Sequence, residues 1–384
     1  MKKILLILIA FMFFVPINIF ATNKEKLISN AASGLLMEQS TGEIIFEKNK
    51  DKKVAVASMT KMVAQIIILE QIESGKIKWS DIVEVSKNAA DMGGSQIFLT
   101  AGEKMSVKDL MKGISVASGN DATVAMAEYI AGSESKFVEM MNNKVKELGL
   151  KNTKFKNPTG LDEDGHYSTA YDMAIIAKNL LDHEQILKFS SIYEDYLRAD
   201  TENKFWLVNT NKLVRYYEGA DGLKTGHTDN AKYCIAATAK KDNMRLIAIV
   251  LGEDESKVRN SETMALLDYG FNNKKIVTLK KRNEVLEEIK VTKGDKNKIK
   301  VVSGKDINVL QNKNTDKHKY NYKTVLKEYS LPIKKGDVVA KLIVYEHGKK
   351  ISTNNLISTT DVRKLNYLEL NVNTLKNEIL GIVN

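Results

Sequence analysis

The densest apolar pattern in the chain is helical. Residues Val54 to Gly75 read VAVASMTKMVAQIIILEQIESG, in which Met62, Val63, Ile66, Ile67, Ile68, Leu69 and Ile72 leave little of a helix circumference polar. A helix that is apolar all round belongs in a core. Two short strand-like runs joined at Ser40-Thr41-Gly42 precede it, and it stops near Gly75. From Ser80 to Gly149 the pattern is largely helical. One helix begins at Ser106, with Asp109 three residues on as in a capping box, breaks at Ser118-Gly119-Asn120, and resumes in DATVAMAEYIAG. Another, SESKFVEMMNNKVKELG, ends at Gly149. Strand patterns return in DGLKTG, KYCIAATAK and MRLIAIVLG, the last two joined at Lys241-Asp242-Asn243, and DESKVRNSETMALLDYGF reads as a helix packing back. Strands at both ends of a helical centre predict an α/β domain whose N- and C-terminal strands share an antiparallel sheet.

Around Asn272 the pattern changes. KIVTLKK, EVLEEIKVTKG, KIKVVSG, INVLQNK and VVAKLIVYEHGKKIS are short alternating runs separated by charged turns, which predicts a small all-β domain to about Val362. The last segment differs again: Leu365, Leu368, Val372, Leu375, Ile379 and Ile382 recur at helical spacing with charged and polar residues between them. Such an amphipathic helix either docks on protein or lies in a membrane surface. At the other end, Met1-Lys2-Lys3 followed by an apolar run from Ile4 to Phe20 and then Ala21 has the form of a secretory signal. Pro16, Asn18 and the short length favour a cleaved signal peptide over an uncleaved anchor. The expected organisation is a signal peptide at 1–21, a main domain at 22–272, a β-rich domain at 273–362 and the amphipathic helix at 363–384.

Composition adds exclusions. The chain is 43% apolar and 28% charged, ordinary values for a folded protein, and its formal charge of +10 is modest against 58 basic and 48 acidic residues. No arginine-rich or aromatic-interleaved basic patch points to nucleic acid. The single cysteine, Cys234, forbids an intrachain disulfide and lies in an apolar run expected to bury it. The five histidines show no metal-ligand spacing, so no metal or other cofactor is expected.

The apolar helix carries a chemical anomaly. Ser58 and Lys61 stand three apart at its start and share a face. Taken alone the pair says little, since Ser133 and Lys136 repeat it. Context separates them: a serine at a helix start, shielded from water, is a plausible nucleophile, and a buried lysine beside it becomes a base once neutral. A second cation, Lys224, lies in the strand-like Lys224-Thr225-Gly226, where Gly226 allows another backbone to lie close. Ser118 and Asn120 sit where two helical patterns are interrupted, as a site-lining loop does.

Ser-x-x-Lys, Ser-x-Asn and Lys-Thr-Gly in that order mark class A β-lactamases and penicillin-binding proteins. From about Ala31 onward the chain resembles the low-molecular-mass penicillin-binding proteins, specifically the serine-type D-alanyl-D-alanine carboxypeptidases. GGSQIFLTAGEKMSVKDLMKGISVASGNDATVAMAEYIAGS, GLDEDGHYSTAYDMA and GADGLKTGHTD carry the likeness. The resemblance implies an α/β fold: a β-lactamase/transpeptidase-like domain (antiparallel sheet with a helical cluster), a small all-β domain and a C-terminal amphipathic helix. It implies Ser58 as acylated nucleophile, Lys61 as base and Ser118 as proton relay. Asn120 would hold the substrate amide, Lys224 and Thr225 the terminal carboxylate, and the N–H groups of Ser58 and His227 the oxyanion. Gly226 would admit the substrate backbone, and Arg259 would lie near the carboxylate end. The implied partners are peptidoglycan stem peptides ending in D-Ala-D-Ala, β-lactam antibiotics, and a membrane surface reached through the terminal helix, on the outer face of the cytoplasmic membrane.

Two departures stand out. Asn209-Thr210-Asn211 occupies a place where some relatives have Asn-Arg-Asn, and no Glu-x-x-x-Asn loop of a class A β-lactamase is present. Asp162, Glu163 and Asp164 read as a solvated loop. A β-lactamase and a non-catalytic receptor that keeps the pocket remain the competing readings.

Overall fold

The computed structural model describes residues 27–315 and 318–379, with side chains described except at 373, 374 and 376–379. The expected signal peptide lies outside these residues. A five-stranded antiparallel sheet runs in the order Ile44–Lys48, Ser33–Glu38, Met244–Glu253, Lys232–Lys241, Ala220–Thr228. The N-terminal hairpin thus adds to the three late strands, as the pattern predicts.

Strict alternation divides the sheet between two cores. Cys234, Ala236, Ile247, Ile249 and Leu251 face a helical cluster that includes the core helix Lys61–Glu73. Ile235, Ala237, Ala239, Leu246, Ala248 and Val250 face the other way and pack with Leu266, Leu267 and Phe271 of the helix Ser256–Asn273. Every residue from Lys61 to Leu69 is buried, which accounts for that helix's all-round apolar sequence.

Local signals set several helix starts. Ser106 Oγ accepts from the Asp109 N–H at 3.1 Å and donates to the Asp109 carboxylate at 2.8 Å, starting the helix Val107–Lys112. The second Ser-x-x-Lys pair is a cap: Ser133 Oγ accepts from the Lys136 N–H at 3.3 Å to open Glu134–Glu147. The stretch from Ser80 to Gly149 is less helical than its pattern suggests. Ile82–Glu84 and Lys104–Ser106 pair as a two-stranded sheet, whose three-residue strands are too short to show alternation.

Beyond Asn273 the chain is β-rich. A two-stranded sheet joins Lys274–Lys280 to Ile307–Asn312. A five-stranded sheet follows the order Val285–Lys290, Lys298–Ser303, Lys349–Ser358, Val338–Glu346, Tyr320–Leu326, around a separate core of Ile299, Val301, Val339, Val344 and Leu356. The strand Tyr320–Leu326 escapes the sequence pattern because it is an edge strand with mostly exposed side chains. The helix Tyr367–Ile379 ends the described chain.

Candidate active site

Ser58 lies inside a 3₁₀ turn, Ala57–Thr60, that leads into the core helix. Three residues per turn eclipse positions i and i+3, so Lys61 stands over Ser58, with Nζ 2.8 Å from Ser58 Oγ. Two glycines clamp this turn. A Cβ on Gly160, whose φ is +85°, would stand 1.9 Å from the Ala57 carbonyl oxygen. One on Gly226 would stand 2.7 Å from the Val56 carbonyl oxygen and 3.2 Å from the Ser58 nitrogen. Gly226 therefore lets the strand Ala220–Thr228 lie directly against the serine.

Lys61 is fully buried and donates to Asn120 Oδ1 at 2.6 Å and to the Thr159 carbonyl at 2.7 Å. Two carbonyl acceptors use both N–H bonds of a neutral amine and leave its lone pair toward the Ser58 hydroxyl. Burial holds the Lys61 pKa well below the ordinary lysine range; the charge on Lys224 pushes the same way, and Asp121 opposes both. Lys224, also buried, is pushed down to about 7 by burial and then by the Arg259 guanidinium. Its Nζ donates to the Thr225 carbonyl at 3.1 Å.

Ser118 joins a π-helical turn, Gly113–Ala117, to the helix Asn120–Ala131, and its φ of +64° is left-handed. It is buried, and its Oγ has no hydrogen-bond partner among the described residues. An unsatisfied buried hydroxyl costs roughly 1–3 kcal/mol and a strained backbone about as much again, a combination that concentrates at functional sites. Asn120 is pinned from both sides, its Nδ2 donating to the Gly93 carbonyl at 2.7 Å.

The outer residues are arranged differently. His227 is exposed and stacks on Tyr233 at 4.1 Å between ring centroids. Arg259 lies over the same tyrosine at 6.0 Å. It is buried, bonded to the Cys234 carbonyl and the Asn260 side chain, and reaches Lys224 through its charge. Cys234 is buried, as its apolar context predicts.

Several residues at the site escape sequence reasoning. Thr159 acts through a main-chain carbonyl, which no side-chain pattern encodes. Asp121 accepts from the amides of Ile97 and Leu99, each at 3.0 Å, and of Ala122 at 2.8 Å, fixing the loop around Asn120. The Lys156 N–H points at His166 Nδ1 at 3.3 Å, so Nε2 carries the ring proton and donates to Thr60 Oγ1 at 2.8 Å. Burial pushes the His166 pKa down to about 4. Thr210, in the departing Asn-Thr-Asn, straps two walls together: its N–H donates to the Val116 carbonyl at 3.2 Å, and its hydroxyl accepts from Thr225 at 2.7 Å. Of the acidic loop, Asp162 accepts from Thr228 and Glu163 from Asn157; neither bonds Ser58 or Lys61.

Residues 20–255 match the family model of D-alanyl-D-alanine carboxypeptidases, and residues 275–364 that of the penicillin-binding protein 5 C-terminal domain. The chain is 48% identical over 345 residues to the D-alanyl-D-alanine carboxypeptidase DacF of Bacillus subtilis, covering 90% of this chain and 89% of that one. Its structure is similar to penicillin-binding protein 5 from Haemophilus influenzae, with a TM-score of 0.71 and 34% identity over 87% of this chain and 98% of that chain. It is also similar to penicillin-binding protein D2 from Listeria monocytogenes in its ampicillin-bound form, with a TM-score of 0.57 and 30% identity over 63% of this chain and 97% of that chain.

Proposed function

Because the chain belongs to the D-alanyl-D-alanine carboxypeptidase family, we propose that its chemistry runs through an acyl-enzyme on Ser58. It is a serine peptidase that removes the terminal D-alanine from peptidoglycan stem peptides and is inhibited by β-lactams. The observation that carries the residue assignment is the buried Lys61 amine, 2.8 Å from Ser58 Oγ, with carbonyl oxygens as its other two partners.

Ser58 Oγ attacks the carbonyl carbon of the penultimate D-alanine and its proton passes to Lys61. The N–H groups of Ser58 and His227 take the negative charge that develops on the carbonyl oxygen. Lys224 and Thr225 hold the terminal carboxylate, with Arg259 supporting the positive field from behind Tyr233. Gly226 admits the peptide backbone, and Asn120 orients its amide. As the C–N bond breaks, Ser118 relays a proton from Lys61 to the leaving D-alanine amine. Water then attacks the ester, releases the shortened peptide and restores the Ser58 hydroxyl.

The reading extends to architecture and location. Residues 1–21 act as a signal peptide, 22–272 form the catalytic domain and 273–362 the β-rich domain. The helix at 363–384 attaches the exported protein to the outer face of the cytoplasmic membrane. Exposed Leu368, Val372 and Leu375 support this attachment. Among the described residues no helix is long and apolar enough to cross a membrane.

Incubating the purified chain with a D-Ala-D-Ala-ending peptide and with a labelled penicillin tests the mechanism. Released D-alanine with a long-lived adduct on Ser58 is expected. Rapid penicillin turnover without peptide cleavage would favour a β-lactamase, and binding without turnover of either a receptor.

A further inference from the structure

From Lys61 to Leu69 the core helix is buried at every position, and besides Lys61 only Gln65 is polar there. Gln65 lies one helical turn beyond Lys61 on the same face and is 1% exposed. Its Nε2 donates to Ser115 Oγ at 2.8 Å, while its Oε1 has no hydrogen-bond partner among the described residues. Ser115 is buried as well. An amide with half of its bonding capacity unmet is unfavourable in a core, and an apolar side chain of equal length would escape that cost. Stability does not explain why a glutamine stands here.

Its partner does. Ser115 belongs to the π-helical turn Gly113–Ala117, three residues before Ser118. In that turn the Gly113 carbonyl accepts from the N–H groups of both Ser118 and Gly119, the latter at 3.1 Å. Regular helical bonding is thus interrupted just where Ser118 turns left-handed and leaves its hydroxyl without a partner among the described residues. Turns of this kind occur mostly at functional sites. Thr210 holds this one from outside, through the Val116 carbonyl, and Gln65 holds it from the helix that carries Lys61.

We infer that Gln65 and Ser115 are positioning residues, whose buried hydrogen bond ties the Ser118 turn to the Lys61 helix and sets the path of the proton between them. This role rests on the proposed part of Ser118 as relay. The bond from Lys61 to Asn120 joins the same regions, but Asn120 opens the helix after the turn and leaves the turn itself unheld. Proton transfer needs heavy atoms within about 2.6–3.2 Å, so a small drift of the turn slows the relay. Lys224 and Thr225 lie on the strand Ala220–Thr228, outside this link. The loss therefore falls on the chemical step and not on substrate binding.

Gln65→Met keeps the length of the side chain and removes its amide, and Ser115→Ala removes the partner. Each should lower kcat for a D-Ala-D-Ala-ending peptide at least tenfold with KM within twofold of the native value. The unfolding midpoint of Gln65→Met should be unchanged or higher, since an unsatisfied buried group is lost; a merely structural glutamine would give a lower midpoint. Adding Gln65→Met to Ser118→Ala should lower kcat no further, because a relay already removed cannot be misplaced. Unaltered kcat in Gln65→Met and Ser115→Ala, with Ser118→Ala impaired, would overturn the positioning role alone, as would additive losses in the double variant. Unaltered kcat in Ser118→Ala would overturn the relay and this role together.

Discussion

The proposed mechanism uses Lys61 as a neutral amine beside Ser58, and burial with a second cation nearby lowers its pKa in that direction. Lys61→Ala should lower the rate of penicillin acylation by about 10²–10⁴-fold, the usual contribution of a positioned base, with an unchanged circular dichroism spectrum. Unimpaired acylation would remove the lysine from the mechanism. Thr210 tests a different link. Thr210→Val takes away the acceptor of the Thr225 hydroxyl, a bond worth about 1 kcal/mol, and should raise KM for a D-Ala-D-Ala peptide several-fold with kcat little changed; Thr210→Ser should restore it. His166 sets a pH dependence. Its folded pKa of about 4 lies below the ordinary 6.5, so between those values the unfolded chain binds more protons. Its contribution is therefore complete above pH 6.5 and is lost as pH falls toward 4, on the order of 3 kcal/mol in all. Protonation would set a new N–H against the Lys156 N–H. Acid unfolding curves of His166→Gln should show a shallower fall across this window than the native chain.

Elements place these groups. The 3₁₀ turn eclipses Ser58 and Lys61, the π-helical turn ends in the strained Ser118, and the strand Ala220–Thr228 closes on the serine through Gly226. Gly160 ties the loop that supplies the Thr159 carbonyl to the nucleophile turn. With φ at +85° and only 1.9 Å from its would-be Cβ to the Ala57 oxygen, Gly160→Ala must shift backbone. It should destabilise the protein by roughly 2–4 kcal/mol and depress acylation, as read from urea unfolding and penicillin labelling. Native stability in that variant would show that the loop yields freely.

At the scale of the molecule, the proposed attachment to a membrane rests on the terminal helix. The apolar face of the helix Tyr367–Ile379 is open: Leu368, Val372 and Leu375 are 75%, 53% and 56% exposed. Removing residues 363–384 should move the protein from the membrane fraction to the soluble fraction, with kcat/KM for a soluble peptide unchanged. Retention in the membrane fraction would place the anchor elsewhere.

Much of this was legible before any coordinates. Short continuous apolar runs predict the late strands of the sheet of the α/β part, since strands buried on both faces are apolar at nearly every position. Ser106 announces its helix because a cap is a local interaction. The order Ser58, Lys61, Ser118, Asn120, Lys224 carries the family likeness in side chains alone. The short strands Ile82–Glu84 and Lys104–Ser106 were not legible, nor was the exposed edge strand Tyr320–Leu326, because none shows a clear buried face. Sequence context separates the two Ser-x-x-Lys pairs, but only the tertiary structure gives each its part, making Ser133 a helix cap and setting Ser58 beside a buried amine. It alone brought the Thr159 carbonyl to Lys61 across 98 residues and the Thr210 hydroxyl to Thr225. Main-chain acceptors and single hydroxyls leave no periodic trace in a sequence, so only the packed chain decides which of them meet.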